Sequence, residues 1–164
     1  MKVVTIQHKN VLDILRQEGI YWVDQYRSDY KGFKPTYDKM MILMEEKIGV
    51  KLLPIWCFSR VQGMEPSTNL NWENYKGKGC PIDETSVLFE LEVDEINALI
   101  MDYYQWTDYM YFLGDNDDEG IETALENLFK IETADTVQVC IPFIKKNMIL
   151  SVYDNNGDKI SRSW

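Results

Sequence analysis

The sequence predicts a single α+β domain with a mixed or mostly antiparallel sheet, continuous or split, and about four helices. Three observations carry this. Val87, Phe89, Leu91 and Val93 alternate with Leu88, Glu90 and Glu92, the period-two pattern of a strand with one buried and one mostly solvated face. Tyr37, Met40, Met41, Met44 and Ile48 recur at helical spacing. The length of 164 residues suits one domain, residues 1–164, and a core large enough to fold without metal or disulfide.

The elements follow in order. Val3, Val4, Thr5 and Ile6 read as a strand. Asn10 can cap a helix with apolar positions Val11, Ile14 and Leu15, and Gly19 can end it. Ile20–Val23 continues as an extended segment, and a polar loop runs from Asp24 to Pro35. The methionine-rich helix then ends at Gly49. Val50 to Phe58 reads as a strand, with Pro54 marking an edge, a bulge or a split. Residues 59–85 lack periodicity and carry Gly63, Pro66, Gly77, Gly79 and Pro81, so a long loop is expected. After the strand through Val87, Asp94-Glu95 turns the chain and Leu99-Ile100-Met101 forms a short strand. Asp102 followed by Gln105 resembles a capping box, opening an aromatic helix through Tyr103, Tyr104, Trp106, Tyr109, Tyr111 and Phe112. An acidic loop precedes an amphipathic helix marked by Ile121, Leu125, Leu128 and Phe129. Thr136–Phe143 is a further strand. A C-terminal hairpin and tail occupy 149–164, with Ile149–Tyr153 as a strand and Asn156-Gly157 as the turn.

Charge and cysteine usage narrow the function. A net charge of −10 argues against nonspecific nucleic-acid binding and against an anionic membrane surface. Cys57 and Cys140 lie in apolar runs, Cys80 sits in a turn-like Gly79-Cys80-Pro81, and no C-x-x-C pair occurs. With His8 the one histidine, a zinc site and a His-dependent triad find no support. No apolar stretch is long enough for a signal peptide or a membrane span, so a cytoplasmic location is expected. P-loop and Rossmann fingerprints are missing.

Two features invite chemistry. Asp115, Asp117, Glu119, Gly120 and Glu126 fall at positions one, three, five, six and twelve of an EF-hand loop, so 115–126 is a candidate calcium loop. Against it, position eight is Glu122, where the motif wants a β-branched apolar residue. The default reading is an acidic interhelical loop. Trp22, Trp56, Trp72 and Trp106, with ten tyrosines, exceed what a minimal core requires. Such rings pack cores, and they also stack nucleobases, nicotinamide or peptide side chains.

Several segments in order resemble a bacterial family named only as domain of unknown function 3841. They are Thr5-Ile6-Gln7, Tyr37 leading to Pro54-Ile55-Trp56-Cys57-Phe58, Val87–Val93 followed by Asp102-Tyr103-Tyr104-Gln105-Trp106, and Val137-Gln138-Val139 followed by Ile149 and Val152. In that family a second Trp often stands where Phe58 is, and a His where Thr107 is. The resemblance implies no established activity. More distantly, the chain looks like ADP-ribosyltransferase-type domains, in which residues on the first, second and a late strand surround NAD. That resemblance implies Thr5 or Gln7, Trp56 or Phe58, and Gln138 as cofactor-binding positions. Gln138 can hydrogen-bond a ribose but cannot act as a base, and the expected His and Glu are missing. Two functions are therefore expected as alternatives. One is an ADP-ribosyltransferase-like domain binding NAD or a related nucleotide. The other is a non-enzymatic module for a protein partner, for example in a phage or mobile-element defence conflict.

Overall fold

The computed structural model describes residues 1–24, 31–65 and 83–160. Eight strands and four α-helices are found among them: β1 (Lys2–His8), α1 (Asn10–Glu18), β2 (Ile20–Tyr21), α2 (Lys34–Ile48), β3 (Ile55–Arg60), β4 (Ser86–Glu92), β5 (Leu99–Asp102), α3 (Tyr103–Asp115), α4 (Asp118–Asn127), β6 (Val137–Ile141), β7 (Ile144–Lys145) and β8 (Ile149–Tyr153). Six strands form one sheet in the order β5-β6-β3-β1-β4-β8, and every pairing in it is antiparallel. β2 and β7 form a separate antiparallel pair.

Helices cover both faces of the sheet. On one face, Val11, Leu12 and Leu15 of α1 pack onto Val3, Cys57, Phe89, Val139 and Val152. On the other, Met40 and Met44 of α2, Trp106 of α3 and Ala124 of α4 pack with Leu99, Met101 and Cys140. Val4, Phe58 and Leu88 continue that second face toward β4 and β8, joined by Ile6, Tyr103 and Tyr153. The two-sided cover corrects the expectation for β4. Its second face is not mostly solvated: Leu88 is fully buried and Glu90 half-buried, and only Glu92 is exposed.

Local chemistry explains the element ends. Gly19 and Gly49 close α1 and α2 in left-handed conformations, with φ of 76° and 72°. Pro35 lies inside the first turn of α2 rather than in the preceding loop, because a proline there loses no helical hydrogen bond. β3 begins after Pro54 rather than at Val50, since proline has no N–H for the ladder and holds Leu53 extended. β3 also runs on to Arg60, into the expected loop. Gln62 and Gly63, both at positive φ, then form a tight turn closed by the Val61–Met64 bridge. The rest of that expected loop, 66–82, lies outside the described residues, as do Trp72 and Cys80. Asp102 caps α3 by accepting from the Tyr104 and Gln105 amides at 2.8 and 3.4 Å. The expected hairpin turn is present, with Gly157 at φ 86° and the Ile160 amide donating to the Val152 carbonyl. No helix among the described residues is long and apolar enough to cross a membrane.

Candidate functional site

The central strands β1 and β3 are joined loosely. Their ladder contains one register pair, Val4 opposite Phe58, whereas β1 and β4 pair along seven positions from Lys2–Glu92 to His8–Ser86. Past Val4, side chains take over from the backbone. The Thr5 hydroxyl donates to the Trp56 carbonyl at 2.7 Å, and Gln7 Nε2 donates to Thr5 Oγ1 at 2.8 Å. The sheet thus has a seam between β1 and β3, bridged by the Thr5 hydroxyl, which Gln7 of the same strand holds in turn.

Strand alternation fixes which side each residue faces. Thr5 and Gln7 share the parity of Val3 and so face the α1 side. Trp56 lies opposite Cys140, and Phe58 opposite both Val4 and Gln138, so Trp56, Phe58 and Gln138 face the side covered by α2, α3 and α4. The five positions implied by the transferase resemblance therefore divide three to two across the sheet. Trp56, Phe58 and Gln138 are neighbours. Thr5 and Gln7 lie behind them.

The three are set in an aromatic array. Trp56 meets the Tyr37 ring edge-on with centroids 6.0 Å apart, and the Trp106 ring at 6.1 Å. Trp106 stacks on Tyr109 at 5.0 Å. Phe58 meets Tyr103 at 5.8 Å, and Tyr103 meets Tyr104 at 5.3 Å. The first turn of α3 lies over this face because β5 delivers it there: Asp102 pairs with Val137, and the Tyr103 amide donates to the Thr136 carbonyl at 3.1 Å.

Within the array, Gln138 is anomalous. It is 4% exposed, with Phe58 opposite it on β3 and Met101 opposite it on β5. Its Oε1 is buried and has no hydrogen-bond partner. Leaving such an acceptor unpaired costs about 1–3 kcal/mol, so a fold tolerates it where something else gains.

Burial disfavours the charged form of one thiol and one phenol here. Burial pushes the Cys140 thiol well up, with the neighbouring Cys57 adding to the effect. Burial likewise raises the Tyr109 phenol. Cys57 and Cys140 are not joined in a disulfide and face opposite sides of the sheet, since Cys57 pairs with Val139 and Cys140 with Trp56. The rings of Trp56, Trp106, Tyr109, Phe58 and Tyr103 pack on one another around a buried amide acceptor.

The calcium loop is overturned. Asp115 is the last residue of α3, Asp117 caps α4 by accepting from the Gly120 amide at 3.1 Å, and Glu119 through Glu126 are helical. Seven residues of helix separate Glu119 from Glu126 by about 10 Å, so the two cannot close one coordination shell. Gly120 is small for packing instead. A Cβ there would stand 2.5 Å from Cγ of Phe112.

Met101 stands opposite Gln138 and Tyr103 packs on Phe58, its other cross-strand neighbour, and sequence reasoning did not connect either to it. The available signal was the Asp102 cap, which starts the aromatic helix directly at the strand end. A family model described as Domain of unknown function (DUF3841) matches residues 2–164. No curated protein and no solved structure matches the chain.

Proposed function

Because the chain belongs to the Domain of unknown function (DUF3841) family, whose description names no activity, we propose from its own geometry that it binds a nucleotide of the NAD class on the aromatic face of the sheet. The observation that carries this is the buried, unpartnered Oε1 of Gln138 beside Phe58. A nicotinamide carboxamide or a nucleobase amino group supplies the missing N–H, and a flat ring suits an aromatic lining of Trp56, Phe58 and Tyr103. Thr5 and Gln7 serve this reading indirectly: the Thr5 hydroxyl ties β1 to β3 behind the site, and Gln7 holds that hydroxyl.

The proposed activity is binding without transfer. Gln138 accepts a hydrogen bond but cannot remove a proton, so an ADP-ribosyl transfer lacks its base at this position. A reducing, cytoplasmic setting suits the reading, with Cys57 and Cys140 kept as buried thiols.

Thermal unfolding with and without NAD tests it. At about 100 times the dissociation constant, binding adds close to 2.7 kcal/mol. For a domain of this size that is a rise of about 5–10 °C. The Gln138→Met variant should show no rise. Absence of any rise with NAD, ATP and short RNA in the wild type rejects the reading and leaves a protein partner as the alternative.

A further inference from the structure

Among the described residues, Oε1 of Gln138 is the one buried side-chain polar atom without a hydrogen-bond partner. Other buried polar side chains are provided for. Thr5 donates to the Trp56 carbonyl, Ser86 donates to Asp83, and Thr136 accepts from the Gln62 amide. The cross-strand neighbours of Gln138 are Phe58 and Met101, whose side chains carry no N–H or O–H.

An amide side chain can sit two ways round, and here its oxygen is inward. Half a turn would bury two N–H donors in place of one carbonyl. Orphaned N–H groups are rarer in protein interiors than under-satisfied carbonyls, and an incoming oxygen would satisfy one of the two at best. Gln138 therefore presents an acceptor, and what its surroundings lack is a donor.

The donor has to be neutral. An ammonium or guanidinium buried against an uncharged carbonyl, with Phe58 and Met101 as its other neighbours, would keep its charge unpaired at high cost. An amino group on an sp2 carbon has no such charge. It lies in the plane of its ring and donates edge-on, which leaves the ring itself to the aromatic lining of Phe58 and Tyr103.

We propose that Gln138 sets the specificity of the aromatic site, admitting planar ligands that carry a neutral exocyclic amino group and rejecting counterparts in which an oxo or methyl group replaces it. The inference rests on the nucleotide reading above. NAD offers two such groups, the nicotinamide carboxamide and the adenine amine.

Isothermal titration calorimetry with three dinucleotides is the test: NAD, acetylpyridine adenine dinucleotide and nicotinamide hypoxanthine dinucleotide. The second has a methyl group in place of the carboxamide nitrogen, and the third has an oxo group in place of the adenine amine. At least one of the two should bind at least about fivefold more weakly than NAD, because the lost hydrogen bond goes to an acceptor already stripped of water. The weaker one identifies the end of NAD that meets Gln138. In Gln138→Glu, a neutral carboxyl can turn either its O–H or its carbonyl inward. At about pH 5, where burial keeps such a group neutral, the preference for NAD should disappear. The wild-type comparison needs no variant and decides even where Gln138→Glu fails to fold. Binding of both analogues within about twofold of NAD, or an unchanged preference in folded Gln138→Glu, overturns this proposal and leaves the nucleotide reading standing. Absence of NAD binding in the wild type rejects that reading and this inference with it.

Discussion

Gln138→Met should make the free protein more stable while removing ligand binding. The wild-type side chain holds Oε1 buried without a partner. The cost of that state is about 1–3 kcal/mol. Methionine keeps an unbranched side chain of similar length and removes the polar atoms. It lies between Phe58 and Met101 in the sheet, where a thioether is compatible with its neighbours. Imperfect shape matching takes back up to about 1.5 kcal/mol. The net expectation is a gain of about 1 kcal/mol, or about 2–4 °C in melting temperature. Urea unfolding measures it directly: the midpoint should rise while the slope stays constant. A loss of more than about 1 kcal/mol at constant slope would refute the reasoning, because it would mean that Oε1 is already paired in the folded protein. A gain in stability combined with loss of ligand binding is the pattern expected when a residue is kept for function at a structural cost.

Gly120→Ala tests the packing of α3 on α4. Alanine gains about 1 kcal/mol in helix propensity, but its Cβ would stand 2.5 Å from Phe112 Cγ, close to the root of that ring. Overpacking costs about 1–3 kcal/mol, so a net loss is expected in urea unfolding; Phe112→Ala in the same chain should relieve the clash. Asp102→Ala removes the acceptor for the Tyr104 and Gln105 amides and should cost about 1 kcal/mol, with Asp102→Asn costing little. Tyr109 predicts an alkaline limit. Its folded pKa is raised by burial above the ordinary value near 10, so its contribution is present below that value and is lost as pH rises through the folded one. Tyr109→Phe should flatten the fall in melting temperature in that window. An unchanged profile would show that other groups set the limit.

Much of the fold was legible because it rests on local signals. The period-two run through Val87, the methionines at helical spacing in α2, the glycine stops at Gly19 and Gly49, and the Asp102 cap each act within a few residues, and each appears in the structure. The errors come from contacts distant in sequence. Leu88 looked solvent-facing because alternation within β4 cannot reveal that a second face is covered by residues such as Tyr103 and Phe58. The EF-hand spacing at 115–126 was met by carboxylates that serve as a cap and as the exposed side of α4. β7 is two residues long and exists through its pairing with β2, so it has no pattern of its own. Of the candidate positions, parity alone puts Trp56 and Phe58 on one face of β3; that Gln138 joins them follows from the register of β6 against β3. The separation of Thr5 and Gln7 from them required the register of β1 against β3, which rests on the single pair Val4–Phe58.

The aromatic site is tested most directly by following tryptophan indole N–H resonances during titration with NAD. The chain has five tryptophans, and single substitutions assign their signals. Binding beside Gln138 should move Trp56 and its neighbour Trp106, and leave the exposed Trp22 in place. The same titration of Gln138→Met should move neither Trp56 nor Trp106. Stationary Trp56 and Trp106 signals in the wild type, or identical movement in the variant, would contradict a ligand site built on Gln138.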